Sequence, residues 1–171
     1  MAQQARPAGW QRMMQRVAAS RPGSWFFSRT LHYFDIPALR LSRGRLSIPT
    51  LVAGLPVIAL TTTGAKTGRT RTTPLVALPD GVRLVVIASS WGRRRHPSWY
   101  YNLRANPKAT VTVRGQTATY TARDATEAER ERYWQEAVGL YPGYAAYEQR
   151  AAGRRIPVLV LTPKGPSRGD L

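Results

Sequence analysis

The sequence contains no cysteine and only two histidines, His32 and His96, in 171 residues. The first absence excludes disulfides, thiolate metal ligands and a catalytic thiol, and it leaves the redox compartment unspecified. Neither histidine has a carboxylate pair at ligand spacing, so no metal site is expected. Carboxylates are scarce as well, nine against 26 lysines and arginines. Five of the nine, Asp124, Glu127, Glu129, Glu131 and Glu136, lie on or beside one helical stretch and read as its solvated face. No serine stands in a Gly-x-Ser-x-Gly turn, which removes the nucleophile elbow. No run of eighteen apolar residues offers a transmembrane helix, and the N-terminus lacks the apolar core of a secretory signal. The expected location is cytoplasmic. With so few acids, bases and thiols, demanding chemistry has to come from a bound cofactor, with hydroxyls as the protein's own catalytic groups.

What is abundant is positive charge. The formal net charge is +17, carried by 23 arginines and three lysines, and it is uneven. Residues 1–55 hold eight cations against Asp35, residues 56–123 hold eleven against Asp80, and residues 124–171 balance seven against seven. Such a field favours an anionic partner: nucleic acid, anionic lipid or a phosphorylated cofactor.

The N-terminal stretch "GWQRMMQRVAAS" spaces Trp10, Met13, Met14 and Val17 at i, i+3, i+4 and i+7, with Arg6, Arg12 and Arg16 directed elsewhere. The pattern predicts a basic amphipathic helix within residues 1–45, followed by a second apolar patch of Trp25, Phe26, Phe27, Leu31 and Phe34. It suits either an anionic membrane surface, on the inner face of the cell membrane, or packing on the protein itself or on a second subunit. The oligomeric state stays open.

From Leu55 the period changes to two. "LPVIALTTT" reads as a strand, "GAKTG" as its turn and "RTRTTPLVAL" as the return; "PDG" then turns the chain into "VRLVVIA". Pro74 cannot donate to a ladder, so it belongs at an edge or a bulge. Pro97 opens a helix through "SWYYNLRA", which Asn106 and Pro107 stop. Two strands follow around Arg114 and Gly115. Thr126 and Glu129 form a capping box for a helix whose Tyr133, Trp134, Ala137, Val138 and Tyr141 share a face. Pro142 and Gly143 break it, a short helix follows, and "IPVLVLTP" ends as an apolar strand. The fold class is α+β: a small barrel of about six mostly antiparallel strands with inserted helices.

"TTTGAKTGRTRTTPL" (61–75) is the densest chemical segment, with seven threonines and three cations in fifteen residues. A Walker loop would need glycine at positions 60 and 65, where Leu60 and Ala65 stand. What remains is a glycine-bounded turn with Lys66 and Thr67 at its tip and Arg71, Thr72 and Thr73 alongside. Cations, hydroxyls and backbone amides suit a phosphate, because all of them donate; an exposed threonine-rich hairpin is the bland reading of the same residues. Two aromatic clusters, Trp99, Tyr100 and Tyr101 and then Tyr141, Tyr144 and Tyr147, suit a pocket for a flat molecule or plain core packing.

Taken together, "LTTTGAKTGRTRTTPL", "IASSWGRRRHPSWYYNLRANPKATV", "TARDATEAERERYWQEAVGLYPGYAAYEQ" and "IPVLVL" resemble, in order and spacing, the deazaflavin-dependent nitroreductase family, whose members use coenzyme F420, an 8-hydroxy-5-deazaflavin. The likeness runs from about Pro56 to Pro163. It implies a split β-barrel over residues 46–163, a C-terminal tail over 164–171, and an F420H2-dependent oxidoreductase acting on a planar quinone or nitroaromatic. Carried over by position, it assigns the cofactor to Ala65, Lys66 and Thr67, to Arg71, Thr72, Thr73 and Pro74, to Ile87, Ala88, Ser89 and Ser90, and to Ser98, Trp99, Tyr100, Tyr101 and Asn102. Tyr144 would approach the deazaflavin ring. Ser89 and Tyr144 are the candidate donors to the acceptor oxygen, with phenols near their usual pKa, and Tyr141 and Tyr147 would wall the substrate site. Two positions depart from the family pattern: Ala65 stands where a basic residue is common, and Ser90 with Trp91 where a lysine is. Arg93, Arg94 or Arg95 are the candidates to replace those phosphate contacts. The rival readings are a split barrel for flavin mononucleotide (FMN) or haem, and a basic nucleic-acid binder; no DNA or RNA module is legible, so nucleic acid is not expected.

Overall fold

In the computed structural model, residues 57–164 are described. The amphipathic helix and aromatic patch expected within residues 1–45 lie outside them, as does the tail from residue 165 onward. Six strands form a closed barrel: β1 (Val57–Thr63), β2 (Thr70–Asp80), β3 (Arg83–Ile87), β4 (Lys108–Val113), β5 (Gln116–Asp124) and β6 (Val158–Pro163), in the spatial order β1-β2-β3-β6-β5-β4. Every pairing is antiparallel, and β4 against β1 completes the ring, so the described sheet has no free edge strand. Three helices are inserted: α1 (Ser98–Ala105), α2 (Glu127–Leu140) and α3 (Gly143–Arg150).

Period-two patterning divides the apolar residues into two cores. One takes residues from all six strands, including Ile58, Leu60, Val86, Val111, Ala122 and Leu161, and is closed by Trp99 and Leu103 of α1. This is the barrel interior. The other takes Leu78, Val85, Ile87, Val158 and Val160 from the outer face of β2, β3 and β6 and covers them with α2 and α3. β3 and β6 are therefore buried on both faces, which is why "LVVI" and "VLVL" are unbroken apolar runs while β4 and β5 alternate.

Pro74 sits opposite Ala59 in an unbroken register from Val57↔Val76 to Thr63↔Thr70, so there is no bulge. The edge expectation fits better: residues 70–76 of β2 pair only with β1, whereas 77–80 pair with β3. Gly143 stands where the chain leaves α2 because the Tyr141 ring lies over it; a Cβ there would clash with the ring atoms.

α2 begins as its sequence predicts. Thr126 Oγ1 accepts the Glu129 amide and the Glu129 carboxylate accepts the Thr126 amide. Glu129 also takes Nη1 and Nη2 of Arg123 at 2.6 and 2.7 Å. The Arg123 bonds first, then the Thr126 amide, hold the Glu129 carboxyl at about 2 instead of 4.5. The acidic residues expected as a solvated face are mostly paired: Asp124 with Arg104 and Glu127 with Arg155 as well. Tyr133 Oη donates to Asp80 at 2.6 Å, fastening α2 to the β2–β3 turn, and that bond together with Arg83 lowers the Asp80 pKa.

Because the Glu129 pKa is depressed on folding, its contribution to stability is complete above pH 4.5 and is lost as the pH falls toward about 2. Glu129→Gln keeps a side chain able to complete the capping box but loses the charge pair with Arg123; it should cost up to about 1 kcal/mol at pH 7 and flatten the pH dependence across that interval, as read from urea midpoints.

Candidate functional site

The turn between β1 and β2 is closed by its own backbone and by α1. Gly64 N donates to Arg69 O at 2.9 Å and Gly68 N to Gly64 O at 2.8 Å. Asn102, 6 % exposed, donates through Nδ2 to Thr62 Oγ1 and accepts the Ala65 amide on Oδ1, both at 3.0 Å. One side-chain amide thus fixes the turn relative to α1. Beyond this brace the segment faces solvent: Lys66, Thr67, Arg69, Arg71 and Thr72 are exposed. No carboxylate occurs between residues 57 and 79, and among the described residues none of these three cations makes an ion pair. Thr61 and Thr72 share one hydroxyl hydrogen bond at 2.8 Å, which leaves a second proton free to donate.

The loop after β3 is the second wall. Ser90, Trp91 and Gly92 lie in succession at φ of 51°, 59° and 76°. For the two non-glycine residues this conformation costs about 1–2 kcal/mol each, so it needs support. Gly92 N donates to Ser89 O and Arg93 N to Ser90 O, both at 3.0 Å. Gly92 also packs so close to α3 that a Cβ would meet Tyr147 O at 2.7 Å. The Trp91 ring lies edge-on to Tyr147, with centroids 5.8 Å apart. From behind, the loop is held by Arg154, which no sequence pattern singled out because its partners are mainly backbone carbonyls. His96, at the end of the loop, packs on Tyr100 and Tyr101 of α1. Turn, α1, loop and α3 are therefore consecutively linked, and they bring most of the residues singled out in the sequence onto one rim.

Individual side chains differ in what they present. Tyr101 is 49 % exposed and Ser98 is exposed, whereas Trp99 is 4 % exposed and fills the barrel interior with Ala88, and Ile87 packs on the outer face under α2 and α3. The Ser89 hydroxyl makes no hydrogen bond among the described residues, and the residue is half-buried. Tyr141, Tyr144 and Tyr147 form a three-ring cluster with centroids 5.7–6.0 Å apart, all buried, with the hydroxyls of Tyr141 and Tyr147 3.1 Å apart. The expectation of ordinary phenol pKa values does not hold here. Desolvation raises all three, and the neighbouring Tyr141 adds to the rise at Tyr144 and Tyr147.

A family model for F420H(2)-dependent quinone reductases matches residues 38–163. The chain belongs to this family. An F420H(2)-dependent quinone reductase of Mycobacterium tuberculosis is 38% identical over 110 residues, which cover 63% of this chain and 73% of that one. The solved structure of an F420-H2 dependent reductase (FDR-A) aligns at a TM-score of 0.57 and 39% identity, over 62% of this chain and 93% of that chain. A second solved structure, described as a domain-swapped dimer, aligns at 0.59 and 34%, over 82% and 98%. Between the deazaflavin, FMN and haem, the family selects the deazaflavin: the cofactor is coenzyme F420. The site of this F420H(2)-dependent quinone reductase family member fits it, since exposed cations without ion-pair partners and proton-donating hydroxyls on an acid-free segment are a donor set for an anionic tail.

The Asn102 brace can be tested without ligand. Asn102→Leu keeps the branched skeleton but strands the Thr62 hydroxyl and the Ala65 amide; it should lower stability by about 2 kcal/mol in urea titrations and speed hydrogen exchange at Ala65.

Proposed function

We propose that the protein is an F420H2-dependent reductase of quinones, and that nitroaromatics of similar planar shape are also accepted. The observation that carries this reading is the family match across residues 38–163. When bound, reduced F420 supplies a hydride; the protein binds, orients and donates protons.

In this reading Lys66, Thr67 and Arg71, with Thr72, Thr73 and Pro74, hold the phosphate and polyglutamate tail. Support comes from the exposure of the first four and from the lack of ion pairs at both cations. Ala65 and the backbone of Ile87–Ser90 approach the cofactor from one side, and Ser98, Tyr100 and Tyr101 from the other, with Trp99 and Asn102 keeping α1 in place. Ser89 is the donor best supported by geometry, because its hydroxyl has no competing partner among the described residues. Tyr144 is the second donor. Its raised pKa keeps the phenol protonated at neutral pH, so it can donate a hydrogen bond or a proton but not act as a base. Tyr141 and Tyr147 wall the acceptor site. Trp91, half-buried and edge-on to Tyr147, borders the acceptor site beside these buried phenols.

Oxidation of F420H2 by menadione, followed by deazaflavin absorbance, tests the reaction; no turnover with a panel of quinones would reject it. Lys66→Ala with Arg71→Ala should raise the dissociation constant of F420 at least tenfold, about 1.4 kcal/mol, and reduce its salt dependence. An unchanged constant would remove these residues from the tail site.

The basic stretch 1–45 adds peripheral binding to an anionic membrane, the phase in which quinones dissolve. Wild-type protein should sediment with anionic vesicles, and Arg6→Glu, Arg12→Glu and Arg16→Glu together should abolish this; equal sedimentation would exclude the stretch as the membrane contact.

A further inference from the structure

We propose that Arg154 is the positioning residue of the cofactor rim: its guanidinium sets both the Ser89–Arg93 loop and the first turn of α1 in the arrangement that receives F420. The proposal rests on the reading of that rim as the F420 site.

Arg154 lies in the link between α3 and β6, 65 residues from Ser89 in sequence. Its Nη2 donates to Ser89 O at 2.8 Å, Nε to Arg93 O at 3.0 Å and Nη1 to Ala88 O at 3.5 Å. Nη1 also meets His96 Nδ1 at 2.7 Å. These acceptors bracket the Ser90–Gly92 turn on both sides, where two non-glycine residues hold left-handed backbone. Such a turn persists only when its surroundings over-determine it. A planar fork with donors at fixed angles can do so; an ammonium group, a point donor on a flexible stem, cannot span the same acceptors.

The same guanidinium sets the state of His96. Arginine only donates, so Nδ1 must accept, and the ring is neutral with its proton on Nε2. Burial first, then the Arg154 charge, lowers the imidazole pKa, which agrees with that tautomer. The ring packs on Tyr100 at 4.8 Å and Tyr101 at 5.8 Å, so the fork reaches α1 through it. Arg154 has no carboxylate partner among the described residues. Its charge therefore remains behind the Ser89–Ser90 backbone, where an anionic cofactor is drawn.

Arg154→Lys and Arg154→Gln separate geometry from charge, and Arg155→Ala is the neighbouring control, since Arg155 pairs with Glu127 on the surface. Amide exchange of the ligand-free protein should accelerate at least tenfold at Gly92 and Arg93 in both variants, with Val86 and Leu161 unchanged. The dissociation constant for F420 should rise about tenfold in both, while the KM for quinone moves less than threefold. Ring 15N shifts should show that His96 loses its single tautomer. Full rescue by lysine, unaltered exchange at Gly92 and Arg93, or an equal effect of Arg155→Ala would overturn the proposal. If glutamine prevents folding, the lysine variant supplies every readout. Failure of the wild type to bind F420 would reject the cofactor reading instead, and the exchange and tautomer measurements would still judge the positioning.

Discussion

β3 and β6 pair antiparallel across the barrel, with Val85 opposite Val160 and Ile87 opposite Val158, and both strands are buried on both faces. This pairing organises the rest. Its inner face belongs to the barrel core that α1 closes, and its outer face is the floor on which α2, α3 and the tyrosine cluster rest. The ladder continues past the strand ends through Ala88 N to Pro157 O at 2.9 Å. Chain that precedes β6 is thereby laid beside chain that follows β3, and this is how Arg154 comes to face Ser89. Ladder, guanidinium fork and loop form one mechanical unit.

Charge is distributed to the same effect. Around α2 the carboxylates are consumed locally: Asp80 by Arg83 and Tyr133, Glu129 by Arg123, Asp124 by Arg104, Glu127 by Arg155. At the β1–β2 turn no acid among the described residues pairs with the cations. Lys66, Arg69 and Arg71 therefore project a field into solvent that an anionic cofactor tail can neutralise. Charge is spent on ion pairs around α2, while the cations of the turn make none among the described residues.

Much was legible in the sequence because it was local. The capping box at Thr126 and Glu129, the turns at Gly81 and Arg114–Gly115, the helix end at Asn106 and the double-sided burial implicit in "VLVL" each depend on a few consecutive residues and on the periods of strand and helix. The scarcity of acids, bases and thiols pointed to a borrowed cofactor, and the ordered motifs from Pro56 to Pro163 named it. What was not legible was the direction of side chains within those motifs. Trp99 and Tyr101 are two residues apart on α1, yet one fills the core and the other is exposed.

Composition and spacing by themselves determined an α+β chain of about six strands and a cationic hydroxyl-rich turn, because each follows from short-range pattern; the deazaflavin came from the resemblance of the ordered motifs to a known family. Tertiary structure alone decided that Asn102 braces the turn, that burial raises the phenol pKa values of Tyr141, Tyr144 and Tyr147, and that Arg154 holds the Ser89 loop. The physical reason is range. The brace and the fork join groups 37 to 66 residues apart, and the phenols lose water only when their helices pack on the barrel's outer face.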